Sequence, residues 1–200
     1  MIADHTRDET MSAIAQRIVS NAPPRFALAG LSMGGYICLE IMRQAPARVS
    51  RLALLDTSAH PDTAEATANR KRLIELAARG CLAEVADTLF ERLVAPAHRQ
   101  DTQLRELNRL MTQEVGAAGF TKQQLANMTR ADSRPTLAAI RCPTLVLVGD
   151  SDELTPPQRA QEIASGIPGA HLVTVPDCGH LSTLERPDDV TQALLSWLQT

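Results

Sequence analysis

Four short runs of consecutive apolar residues punctuate the chain, at 26–29 (Phe-Ala-Leu-Ala), 52–55 (Leu-Ala-Leu-Leu), 144–148 (Thr-Leu-Val-Leu-Val) and 171–175 (His-Leu-Val-Thr-Val). Unbroken apolar runs of this length, bounded by turn residues, suit strands of a parallel sheet covered on both faces. Helical spacing fills the segments between them, so strand and helix alternate, and the alternation predicts an α/β sheet with right-handed crossovers. A helix is expected after Asp152, where Thr155 caps, Pro156 occupies the first turn and Gln158 completes a capping box. Ala160, Ile163 and Ala164 give it an apolar face and Gly166 a stop. The last helix follows Pro187: acidic Asp188 and Asp189 suit its first turn, and Val190, Ala193, Leu194, Trp197 and Leu198 form one face.

Residues 61–133 break the alternation. They carry no strand signal and read as helix throughout, with breaks near Gly80, Pro96 and Gly116. About seventy helical residues exceed a single crossover, so the expected organisation is a core of residues 1–60 and 134–200 with an inserted helical cap at 61–133. No internal repeat or low-complexity segment is present.

Composition narrows the function classes. At 44% apolar and 22% charged, the 200 residues are ordinary for a globular domain. A net charge of −3 argues against nucleic acid, which calls for clustered Lys and Arg. The one tight basic run, Arg70-Lys71-Arg72, reads as a solvated helix face. Cys38, Cys81, Cys142 and Cys178 are too widely spaced for a zinc site or a redox pair, and unpaired buried thiols fit a reducing compartment. No apolar run approaches the ~18 residues of a membrane helix, and the first twenty residues lack the apolar stretch of a signal peptide. A cytoplasmic protein without nucleic-acid or membrane partners is the expectation.

The chemistry centres on Gly30-Leu31-Ser32-Met33-Gly34-Gly35, directly after the first strand run and before a helical pattern of Tyr36, Ile37, Leu39, Ile41 and Met42. G-x-S-x-G between strand and helix is the nucleophile elbow: a tight turn projects the serine hydroxyl, and glycines two residues before and after avoid collision. A serine needs a base. Of the histidines at 5, 60, 98, 171 and 180, His180 alone sits on a loop just past a strand's C-terminal end, the edge where open α/β sheets place their chemistry. The base needs an acid to fix its tautomer. Asp150 and Asp152 end the third strand run and Asp56 the second, and the order Ser, Asp, His holds for all three.

The elbow, the stretch from Pro143 through Gly149-Asp150-Ser151-Asp152 to Pro157, and the stretch from Pro176 through Gly179-His180-Leu181-Ser182 to Pro187 resemble the elbow, acid loop and histidine loop of α/β-hydrolase fold proteins, most nearly enol-lactonases and small carboxylesterases. The resemblance covers nearly the whole chain. It implies an α/β-hydrolase core with a mostly parallel sheet and helices on both faces. Its acid-loop pattern selects Asp152 over Asp150, although members with the acid one strand earlier keep Asp56 open. One departure is large: the resemblance implies further strands before the elbow strand, and a glycine-containing loop there that supplies an oxyanion amide. Here residues 1–25 precede it, with Met1-Ile2-Ala3-Asp4 resembling the tail of a preceding strand. An N-terminally shortened core is therefore expected, with Met33 as the remaining oxyanion donor and self-association through the open strand edge as one consequence.

Together these features predict a serine hydrolase cleaving a small-molecule ester or lactone, with no metal or organic cofactor, through Ser32, His180 and Asp152. Leu31, Met111, Phe120 and Met128 are the candidates for lining its pocket. The same triad also serves C–C bond hydrolysis or perhydrolysis, and a non-catalytic interaction protein on a hydrolase scaffold is the alternative of a different class.

Overall fold

In the computed structural model, which describes residues 1–200, the four apolar runs form one parallel sheet of β1 (Phe26–Leu31), β2 (Val49–Leu55), β3 (Thr144–Gly149) and β4 (His171–Val175), in that spatial order. The two strands on the Ser32 side are longer than their apolar cores suggest. β2 starts at Val49 because polar Ser50 and Arg51 continue the extended chain, and β1 runs on to pair Gly30 and Leu31 with Leu54 and Leu55.

Successive strand side chains point to opposite faces, and the burial divides accordingly. Leu52, Leu54, Val146 and Val148 pack with Ile14, Leu39, Ile41 and Ile163 on one face, while Ala53, Leu55, Leu145 and Leu147 pack with Val175, Val190 and Trp197 on the other. The first face is covered by α1 (Met11–Asn21) and α2 (Met33–Gln44), together with the helix that carries Ile163; the second lies under the C-terminal helix. β3 is buried along its whole length, which is why its sequence carries no polar alternation. β1 has a strand on one side only. Residues 1–4, expected as a strand tail, are irregular: Asp4 turns its carboxylate to Thr6 and Arg7 instead of extending, and Thr10 then caps α1 through the Ala13 amide.

Between β2 and β3 lie three helices, α3 (Ala64–Ala78), α4 (Leu82–Leu93) and α5 (Thr102–Met128). The three expected breaks hold. Gly80 takes φ 85° between α3 and α4, Pro96 opens a short 3₁₀ turn after α4, and Gly116 takes φ 69° at a kink inside α5. Leu73, Ala77, Val85 and Phe120 give these helices a small core of their own. In the basic run on α3, Lys71 and Arg72 are exposed as expected, but Arg70 turns inward to the buried Asp62 carboxylate and to Gln124.

The chain ends in α6 (Pro157–Gly166), α7 (Ser182–Glu185) and α8 (Pro187–Gln199). The capping box at Thr155 does not form. α6 begins at Pro157 with Pro156 at the cap position, so Thr155 lies one residue too early to cap it, and the Thr155 hydroxyl donates to Asp152 instead. All four cysteines are unpaired, Cys38 and Cys178 buried, Cys81 and Cys142 partly so. No helix is long and apolar enough to cross a membrane.

Gly149 closes the acid-bearing strand against the loop that follows β4. A Cβ at this position would overlap the carbonyl oxygens of Cys178 and Gly179, and neither is a side chain that can swing away. Gly149→Ala is therefore expected to destabilise the fold by about 1–3 kcal/mol, lowering Tm by roughly 2–4 °C per kcal/mol in a domain of this size. Thermal unfolding followed by circular dichroism checks this; an unchanged Tm would show that the two loops are free to separate.

Candidate active site

Ser32 alone links β1 to α2, and its backbone takes φ 53°, ψ −114°. A non-glycine residue there is strained by about 1–3 kcal/mol. A Cβ at Gly30 would overlap the Gly34 carbonyl, so the first glycine of the motif is a steric requirement. The second is not: a Cβ at Gly34 meets nothing within 4 Å. The other tight position is Gly35, where a Cβ would overlap the Thr57 side chain. Thr57 has a further part in the turn, because its hydroxyl donates to the Ser32 carbonyl at 2.8 Å while the Ser32 amide donates to the Leu55 carbonyl at 2.9 Å. The elbow is thus pinned to the end of β2 from two directions.

His180 brings its Nε2 to 2.7 Å from Ser32 Oγ and its Nδ1 to 2.8 Å from Asp152 Oδ2. Ser32, Asp152 and His180 follow β1, β3 and β4, so the parallel sheet gathers all three at its C-terminal edge. His180 is 1% exposed and Asp152 2%. Burial pushes the Asp152 carboxyl upward, but the hydrogen bond and charge of His180 outweigh it, together with the Thr155 amide and hydroxyl, and leave it below its ordinary value. The Leu154 amide adds a further donor, at 2.8 Å from Oδ1. Asp152 is accordingly an ionised acceptor facing His180.

The other candidates are engaged elsewhere. Asp150 is exposed and accepts from the Ser151 hydroxyl and the Cys178 amide. Asp56 is buried, accepts from the Gly149 amide and the Ser182 hydroxyl, and is pushed up to about 7, chiefly by burial. His60 pairs with Glu162, His98 with Glu185, and His171 starts β4 in solvent. His5 lies beside the Ala3 carbonyl.

Met33 is the first residue of α2, where backbone N–H groups lack an intrahelical acceptor and the helix dipole favours negative charge. A groove of about 600 Å³ runs along β1 between α1 and α2 and reaches Leu31, Ser32 and Met33. Met111 and Phe120 line a different cavity, about 210 Å³ between α4 and α5, that does not include Ser32. Phe120 packs in the small helical core and Met128 is half-buried at the end of α5. Of the four pocket candidates, Leu31 alone shares a cavity with Ser32.

Sequence reasoning missed Thr57, the hydroxyl of Thr155, and Glu185. The Glu185 carboxylate accepts from the Gly179 amide at 3.0 Å and the Ala95 amide at 2.7 Å, and the Leu181 amide donates to the Leu93 carbonyl at 2.9 Å. These bonds hold the segment after α4 against the His180 loop.

Residues 3–193 match the Alpha/beta hydrolase family. The chain belongs to that family. Among solved structures, this hydrolase is similar to a thermophilic esterase from Thermogutta terrifontis, with TM-score 0.87 and 35% identity over 96% of this chain and 73% of that one. Among curated relatives, it is 27% identical to the pimeloyl-[acyl-carrier protein] methyl ester esterase of Aromatoleum aromaticum, over 92% of this chain and 78% of the relative. It is 29% identical to a Mycobacterium tuberculosis protein provisionally named a non-heme bromoperoxidase, over 88% of this chain and 68% of the relative.

The Thr155 hydroxyl gives a direct test of what holds Asp152 in place. Thr155→Val keeps the shape and removes one donor to a buried carboxylate, a bond worth about 1.5–3 kcal/mol. kcat is expected to fall roughly 10- to 100-fold with KM little changed. Steady-state kinetics on a short-chain p-nitrophenyl ester measure it, and a wild-type kcat would show that Thr155 does not help hold Asp152.

Proposed function

We propose that this alpha/beta hydrolase cleaves a carboxylic ester or lactone through an acyl-enzyme on Ser32. The observation that carries the reading is the unbroken hydrogen-bonded chain from Ser32 Oγ through His180 to Asp152, both partners buried, with the serine at the head of a helix. Names of relatives that include esterases support it.

Each group has a role that its surroundings suit. His180 Nε2 accepts the Ser32 hydroxyl proton as Oγ attacks the substrate carbonyl. Asp152 holds Nδ1–H and stabilises the imidazolium. The Met33 amide donates to the oxyanion of the tetrahedral intermediate. The imidazolium then protonates the leaving alkoxide, and water, activated by the same histidine, releases the acid. Apolar Leu31 directly before Ser32 suits an uncharged small substrate. The helices of residues 61–133 act as a cap, a role supported by the bonds that tie the segment after α4 to the His180 loop.

Ser32→Ala is expected to remove at least three orders of magnitude of kcat and to abolish labelling by a fluorophosphonate, with Tm little altered. Intact mass spectrometry of the labelled protein is the deciding measurement. A wild-type chain that folds but takes no label at Ser32 would favour an interaction protein on a hydrolase scaffold.

The acid is tested separately. Asp152→Asn should cost about 10⁴ in kcat, because the histidine then takes the wrong tautomer, whereas Asp150→Asn should stay near wild type. Equal losses in the two variants would remove Asp152 from this role.

A further inference from the structure

We infer that Asp56 is a positioning residue for this site, its one carboxylate setting the spacing between the Asp152 turn and the His180 loop. The inference rests on the Ser32–His180–Asp152 reading. Asp56 ends β2, the strand between the one that delivers Ser32 and the one that delivers Asp152. It is completely buried, and its backbone takes φ 45°, a conformation that Asp and Asn tolerate better than most residues.

Its bonds reach both loops. The Asp56 amide donates to the Leu147 carbonyl at 2.8 Å, locking it to β3. Oδ1 accepts from the Gly149 amide at 2.9 Å, at the start of the turn that carries Asp152. Oδ2 accepts from the Ser182 hydroxyl, and Ser182 opens the short helix α7 immediately beyond His180 and Leu181. The same two loops touch directly where Gly149 meets the carbonyls of Cys178 and Gly179. Asp56 therefore adds a bridge to the far side of His180, beyond the direct bonds of the Ser151 amide to the Cys178 carbonyl and of the Cys178 amide to Asp150 on the near side.

The site is a poor place for a carboxylate on stability grounds alone. Burial pushes Asp56 up to about 7 in spite of the Ser182 hydroxyl, the charge of His180 and the Gly149 amide, and Asp152 pushes it the same way as burial. An apolar side chain would avoid that desolvation, but it would leave the Gly149 amide and the Ser182 hydroxyl without this acceptor and the segment just beyond His180 without its tie to β2.

The test uses the full chain with Asp56→Ala, Asp56→Asn and Ser182→Ala. Readouts are kcat and KM on p-nitrophenyl acetate and the low-field proton resonance of the His180–Asp152 hydrogen bond by NMR. Asp56→Ala should lower kcat roughly 10- to 100-fold, as a small misplacement of a reacting group does, with KM little changed and the resonance shifted or broadened. Asp56→Asn should recover most of the rate, since its amide oxygen accepts from Gly149 and its NH₂ donates to Ser182. Adding Ser182→Ala to Asp56→Ala should cost little more, because the two act as one unit. A folded Asp56→Ala with wild-type kcat and an unmoved resonance would overturn the inference, as would equal losses in the Asn and Ala variants. If Asp56→Ala does not fold, Ser182→Ala decides by the same two readouts. Should the wild-type chain fail to turn over the ester or label at Ser32, the esterase reading falls, while the resonance still reports whether Asp56 sets the His180 loop.

Discussion

The chain can reverse direction at Ser32 only because no side chain stands at Gly30, where it would occupy the space of the Gly34 backbone. That single approach lets β1 pass into α2 through one residue, and the rest of the site is arranged around it. α2 must then lie close over β1, with Gly35 against Thr57, so the second strand is drawn into the turn as well. The Ser32 amide and carbonyl are taken up by Leu55 and Thr57 at the end of β2, which ties the strained residue to a buried strand end. Parallel pairing carries the same edge across to β3 and β4, and so Asp152 and His180 arrive at the level of the serine without any long loop having to reach for it.

The features legible in the sequence are those set by residues close together in the chain. Apolar runs revealed β3 and β4 almost to the residue, and Gly80, Pro96 and Gly116 marked where the helices stop or bend. The elbow and the histidine loop were legible because each combines a glycine with a preceding strand. Boundaries failed where polar residues continue a strand, as Ser50 and Arg51 do in β2. The cap pattern at Thr155 misses because the helix starts one residue later than the pattern predicts, and the bond its hydroxyl donates is set by the fold of the turn around Asp152. Thr57, the bridging role of Asp56, and Glu185 were out of reach for the same reason on a larger scale. Their partners Ser32, Ser182 and Ala95 stand far away in sequence, and nothing in composition or spacing distinguishes them from ordinary polar residues. Apolar Met111 and Phe120 illustrate the converse: side-chain type alone did not tell a pocket wall from a helical core.

Three buried carboxylates surround the His180 loop, and the protein treats each differently. Asp152 collects the Leu154 and Thr155 amides, the Thr155 hydroxyl and His180. Glu185 collects the Gly179 and Ala95 amides and His98, and joins the loop to the segment after α4. Asp56 collects the Gly149 amide and the Ser182 hydroxyl. For the two aspartates hydrogen bonding opposes burial: it prevails at Asp152, where His180 contributes most, and burial prevails at Asp56.

The two aspartates consequently pull the pH dependence of the fold in opposite directions. Asp152 lies below its ordinary 3.8, so the stability it contributes is present above that value and is lost as pH falls through its folded pKa. Asp56 lies above 3.8, at about 7, so its contribution is fully present below 3.8 and is lost as pH rises toward 7, where the buried group must ionise. The two neighbouring carboxyls are thus shifted apart, Asp152 downward by His180 and the Thr155 donors and Asp56 upward by burial. Geometry separates the two as well: Asp152 Oδ2 lies 2.8 Å from His180 Nδ1, whereas the Asp56 oxygens are taken up by the Gly149 amide and the Ser182 hydroxyl.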